Sequence, residues 1–111
     1  MQQDEQEFMR QADACLARLE AWLEQASDTA DFDYERKAGG IIEIDCGAGG
    51  KLVVNRHGAA GEIWLAARAG GFHFRLQDDG RWCDTRSGEA LETTLARCVS
   101  QQCGRLVMPP A

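Results

Sequence analysis

At 111 residues, with 44% apolar and 27% charged residues, the chain has the size and composition of one soluble globular domain with a single modest core. Its 18 acids against 12 Lys and Arg give a formal net charge of −6, which disfavours nucleic acid as a partner and favours cations or a basic protein surface. No apolar run reaches membrane-spanning length, and the opening MQQDEQEF has neither the basic and apolar regions of a secretory leader nor the Arg-rich character of a transit peptide, so no membrane contact and a cytoplasmic location are expected.

Residues 4–26 read as a helix. Phe8, Ala12, Cys15, Leu16, Leu19, Leu23 and Ala26 fall on one stripe, with Trp22 at its edge and no Gly or Pro to interrupt. Asp13, Glu20 and Glu24 share a separate, solvated stripe, and Ser27 and Asp28 begin the exit. Residues 31–37 then alternate, so that Phe32 and Tyr34 face a core while Asp31, Asp33 and Glu35 face water. In the next strand Ile42, Ile44 and Cys46 alternate with Glu43 and Asp45, and the turn GAGG joins it to KLVVNR as an antiparallel hairpin.

A loop at 57–61 precedes EIWLAAR (62–68), where Ile63, Leu65 and Ala67 take the inner face. Phe72, Phe74 and Leu76 continue that face, and a turn at 77–80 leads to a short strand over 81–84. Residues 87–103 read as a second helix, with Ser87 as its N-cap and Leu91, Leu95, Cys98 and Val99 as its buried stripe. Gly104 ends it, and the tail RLVMPPA closes on two prolines that oppose regular structure.

One apolar stripe per helix and one apolar side per strand predict an α+β fold over residues 1–111. It is a two-layer α/β sandwich in a single domain, with both helices on one face of an antiparallel sheet of about six strands. The opposite face is left to solvent or a partner. Strict alternation with Ile63 and Leu65 puts Trp64 on that face, beside Val53, Asn55, Ala66, His73 and Arg75. A large aromatic there is either a contact residue or a plate lying flat on its neighbours.

Most site chemistry is absent. There is no G-x-G-x-x-G, P-loop, H-E-x-x-H or EF-hand pattern, no paired E-x-x-H di-iron motif, and only two histidines. Five cysteines without a C-x-x-C pair indicate neither a disulfide framework nor a zinc knuckle; Cys15, Cys46 and Cys98 fall at inward positions. No catalytic residue is assigned, and an enzyme is not expected. What remains is acid. Ten of the 18 acidic residues lie in the first 35 positions with only two arginines, whereas the rest of the chain holds ten basic and eight acidic residues. Glu20 and Glu24 are one helical turn apart, and strand carboxylates two positions apart are spaced by roughly 7 Å. Such oxygens suit hard cations but do not converge into a cage, so weak, exposed binding is expected; the plainer reading is a solvated helix face and a charged edge strand.

The chain resembles the bacterial frataxin family over about residues 6–104. The carriers are Glu7-Phe8, Ala12-Asp13, Asp31-Phe32-Asp33, Asn55-Arg56, Trp64-Leu65-Ala66, Gly70-Gly71-Phe72-His73-Phe74, Trp82-Cys83-Asp84 and Ser87-Gly88-Glu89. The resemblance implies two helices on one face of an antiparallel sheet and a role in iron–sulfur cluster assembly. It implies weak iron binding (Fe2+ or Fe3+) by an acidic ridge, here Glu20, Glu24, Asp31, Asp33 and Glu35. It also implies a cysteine desulfurase and an iron–sulfur scaffold protein as partners, met through Asp31, Asp33, Asn55 and Trp64. A monomer, or oligomers formed with iron, goes with it. Where better-endowed members carry further acids or a histidine, this chain has Met9, Ala21, Gln25, Ser27 and Thr29, which implies weaker iron sites. Two functions stand: a protein that presents iron to cluster assembly, and a regulator of the desulfurase whose acidic face is a docking surface with no productive iron delivery.

Overall fold

The computed structural model describes residues 5–110; residue 4, where the helix was expected to begin, and residue 111 of the tail lie outside them. Helix α1 spans Glu5–Ala30 and α2 spans Leu91–Cys103. Between them run β1 (Asp33–Lys37), β2 (Ile41–Asp45), β3 (Lys51–His57), β4 (Glu62–Ala67), β5 (Gly70–Leu76) and β6 (Trp82–Asp84). The six strands form one antiparallel sheet in chain order, each pairing with the next.

The predicted stripes meet in one core. Phe8, Ala12, Cys15, Leu16, Leu19 and Leu23 of α1 and Leu91, Leu95, Cys98 and Val99 of α2 cluster with Ile42, Ile44, Leu52, Val54, Ile63, Leu65 and Phe74 of the sheet. Trp82 joins them, its ring centroid 6.0 Å from that of Phe8 in an edge-on contact. Each such Leu or Ile side chain contributes roughly 1.5–3 kcal/mol by leaving water.

Several boundaries differ from the sequence reading; β3 runs on through His57 and β4 ends at Ala67. Helix α1 continues to Ala30 rather than stopping at 26, and the Ser27 and Thr29 hydroxyls fold back onto the carbonyls of Glu24 and Ala26 within it. The first strand therefore starts at Asp33, not Asp31. Asp31 sits between them with φ 58, a left-handed helix-exit conformation that Asp tolerates better than most residues. Ser87 is not the cap of α2. The helix begins at Leu91 behind Ala90, Gly88 sits at φ 78, and the Ser87 hydroxyl accepts from the Glu89 amide within the preceding turn. The last strand is trimmed to Trp82–Asp84.

Two packing features were not expected. Cys46 packs against the core but is only half-buried, while Cys83 joins Cys15 and Cys98 as a buried thiol. The tail lacks regular structure yet packs: Val107 is buried, its amide donates to Ser100 Oγ (2.8 Å), and Trp22 Nε1 donates to Met108 O (2.9 Å). Trp22 is thus a buried residue covered by the C-terminal segment. No helix among the described residues is long and apolar enough to cross a membrane.

Candidate functional site: an acidic edge and a ringed tryptophan

The acids of α1 and β1 fall into two groups. Those facing the sheet's edge are engaged. Asp13 pairs with Arg56 of β3 and lies 3.8 Å from Arg36 of β1, and Glu20 lies 3.6 Å from the same Arg36. Glu24 accepts the Tyr34 hydroxyl; that bond, with burial and the Glu24 and Glu20 charges behind it, pushes the Tyr34 phenol up to about 12. Beyond the helix end, Asp31, Asp33 and Glu35 are exposed, and among the described residues no ion pair or hydrogen bond engages their side chains.

The placement of these free acids opposes stability. A helix C-terminus carries the negative end of the macrodipole and favours cations. The last turn of α1 holds no basic residue; Asp28 sits in it and Asp31 directly after it. Arg105 of the tail approaches, with Nη1 3.5 Å from Thr29 O. Asp33 also faces Asp45 across the β1–β2 pair, and Glu35 faces Glu43; like charges directly opposite repel. Glu43 is neutralised by Lys37 and Lys51, which hold its carboxyl below the ordinary range. The result is a negative edge with dipole and carboxylates summed, open to solvent. Among the described residues no three His, Cys, Asp or Glu side chains converge into a group able to hold a metal together.

The outer sheet face is built differently. Asn55, Trp64 and His73 stand side by side across β3, β4 and β5. The Trp64 ring lies flat between His57 (centroids 3.8 Å apart, planes 14° apart) and His73 (4.4 Å, 9°), so both faces of the indole are covered. Its Nε1 donates to Glu62 Oε1 at 2.8 Å, and Arg75 donates to Glu62 Oε2 at 2.8 Å. His73 Nδ1 lies 3.4 Å from the same carboxylate. Glu62 is 6% exposed although it points away from the helices. Burial raises its carboxyl, but the hydrogen bonds from Trp64 and Arg75 and the nearby positive charges outweigh it, and the group ends below its ordinary value.

Sequence reasoning placed Trp64 and Asn55 on this face but missed Glu62, His57 and Arg36. The period-2 pattern already aligned Glu62 with Trp64, and the β3–β4 register sets His57 opposite Glu62. A carboxylate beside an outward Trp, Arg and His was the usable signal.

Residues 1–105 match the Frataxin-like domain family, and the chain belongs to that family. It is 48% identical over 99 residues to "Iron-sulfur cluster assembly protein CyaY" of Ralstonia pickettii, covering 88% of this chain and 87% of that one. The protein of the same name from Dechloromonas aromatica is 46% identical over 105 residues, 95% of this chain and 97% of its own. Among solved structures, frataxin from Psychromonas ingrahamii superposes with a TM-score of 0.81 at 27% identity, over 95% of this chain and 96% of that one. Trimeric yeast frataxin, complexed with ferrous iron, superposes with a TM-score of 0.72 at 28% identity, over 95% and 90%.

Proposed function

We propose that the chain is a non-enzymatic accessory protein of bacterial iron–sulfur cluster assembly. On this reading it docks through Asp31, Asp33 and Glu35 on a basic surface of the cysteine desulfurase. It presents the outer face around Asn55 and Trp64 to the scaffold protein. The observation that carries the reading is the unpaired acidic edge at a helix end where acids cost stability. A surface kept against its own electrostatics points to a partner or cation that needs it. The assembly role named for its 48%- and 46%-identical relatives supports the same process.

Iron enters this reading as a weakly held cargo. Glu20, Glu24, Asp31, Asp33 and Glu35 offer hard oxygen donors along one ridge, spread rather than convergent, so bound iron exchanges readily and with low selectivity. A second reading, regulation of the desulfurase without iron delivery, is favoured by two specific contacts. Glu20 is engaged by Arg36 and Glu24 by Tyr34, which leaves fewer carboxylates for metal.

The test is the salt dependence of desulfurase binding, measured calorimetrically. Docking through exposed charge predicts an affinity that falls by about tenfold between low salt and physiological ionic strength. An affinity indifferent to salt would remove the ridge from the interface.

A further inference from the structure

Two cysteines take no part in the proposed function, and the fold brings them into contact. Cys46 follows the last residue of β2 and leads into the short 3-10 turn Gly47–Gly49, and Cys103 is the last residue of α2. They are separated by 57 positions in the chain, yet their sulfurs stand 2.6 Å apart. Both are half-buried free thiols, whereas Cys15, Cys83 and Cys98 are buried.

Backbone contacts hold this meeting in place. Gly49 approaches α2 so closely that a Cβ there would stand 1.7 Å from Gln102 O. Gln102 Nε2 donates to Gly49 O at 3.1 Å and Lys51 O at 3.3 Å, and Gln102 Oε1 accepts from the Arg68 amide at 2.8 Å. The residue before Cys103 is therefore fastened to the turn that follows Cys46. Two sulfurs in direct contact, with the backbone fastened on both sides, need little movement to bond covalently.

We propose that Cys46 and Cys103 form a dithiol–disulfide site, oxidised by small disulfides of the oxidised-glutathione class, which ties the end of α2 covalently to the β2–β3 turn. The step is an exchange. The Cys103 thiolate attacks one sulfur of the small disulfide, forming a mixed disulfide and expelling one small thiolate. Cys46 then gives up its proton, attacks the Cys103 sulfur and expels the second small thiolate. The two protein thiols end as one disulfide, and the two small thiolates leave as thiols carrying the two protons. Burial, the contact with Cys103 and the Asp45 charge push the Cys46 thiol up to about 12. Once Cys103 is capped, the contact that helps to hold that proton is gone. The bond would also brace Asp45, the strand partner of Asp33, so it sits at the root of the acidic edge.

The experiment incubates the full chain with oxidised glutathione over a range of glutathione ratios, quenches by alkylation and maps the peptides. The expected result is a single link between Cys46 and Cys103, with Cys15, Cys83 and Cys98 alkylated after unfolding. The melting temperature should rise by about 10 °C, reversibly on reduction. Cys46→Ser and Cys103→Ser should each keep glutathione on the remaining partner and lose the rise. Should either variant fold poorly, the map of the unsubstituted chain decides alone. Glutathione retained unlinked on both residues, a link to another cysteine, or two thiols still free in a large excess of oxidised glutathione would each overturn the proposal.

Discussion

Glu62 on the outer sheet face keeps 8% of its side chain in water and is held by Trp64, Arg75 and His73, whereas Asp31, Asp33 and Glu35 at the α1–β1 edge are exposed and, among the described residues, hold no ion pair or hydrogen bond. The same functional group thus has opposite effects in the two regions. Glu62 accepts from the part-buried Trp64 indole N–H and from the Arg75 guanidinium, so its removal leaves the indole donor without its acceptor. Asp31 lies against a helix C-terminus and Asp33 opposite Asp45, so their removal relieves repulsion. Carboxylates that stabilise the fold and carboxylates kept despite the fold are told apart by this sign.

The sharpest way to break the comparison is the pair Asp31→Asn with Asp33→Lys, in which Asn accepts the left-handed backbone at position 31. Desulfurase affinity should fall by about 100-fold or more, while urea unfolding shows a protein as stable as the parent or more stable by about 0.5 kcal/mol. A variant that binds normally, or that unfolds more easily, contradicts the account of the edge.

Glu62→Gln should act in the reverse sense, costing about 1 kcal/mol in the same unfolding assay, because the amide keeps an acceptor for Trp64 but loses the charge that faces Arg75. The pH dependence follows from a folded carboxyl lying below its ordinary value of 4.5. Its contribution is present above that value and is lost as pH falls through the lower, folded one. Acid titration of stability should therefore be shallower for Glu62→Gln than for the parent, and identical curves would show that the carboxylate contributes nothing.

Trp64→Ala tests whether the ringed tryptophan belongs to the interface or to the sheet. The chain should stay folded, with the ternary complex with scaffold and desulfurase weakened by about tenfold. Loss of the near-native circular dichroism spectrum would make Trp64 a packing plate instead. Smallest of all, Tyr34→Phe frees Glu24 from its donor. The melting temperature should change by about 1 °C or less, and ferrous affinity should rise slightly; a fall in affinity would remove Glu24 from the ridge's iron donors.

The element order, the inward set of each strand and the outward Trp64 were legible because period-2 and 3.6-residue patterns dominate those segments. The acidic edge was legible as composition. The coupling of distant parts was not. Ser27 and Asp28 looked like exit residues, and only the three-dimensional path shows α1 running past them with the Ser27 and Thr29 hydroxyls folded back onto its carbonyls. Ser87 had the chemistry of a cap, but whether the helix starts beside it depends on the turn through Gly88. Glu62 reads as a surface charge until Arg75 and His73 arrive from the next strand. The meeting of Cys46 with Cys103 depends on where α2 ends against the β2–β3 turn, which no local pattern encodes.

The most direct test of the central claim is an NMR titration of the labelled chain, with ferrous iron under anaerobic conditions and, separately, with the cognate cysteine desulfurase. The account predicts that the desulfurase perturbs amides from Glu20 to Glu35, centred on Asp31 and Asp33, and that iron perturbs the same edge weakly and in fast exchange. Perturbations by the desulfurase confined to other surfaces, with the α1–β1 edge silent, would contradict it.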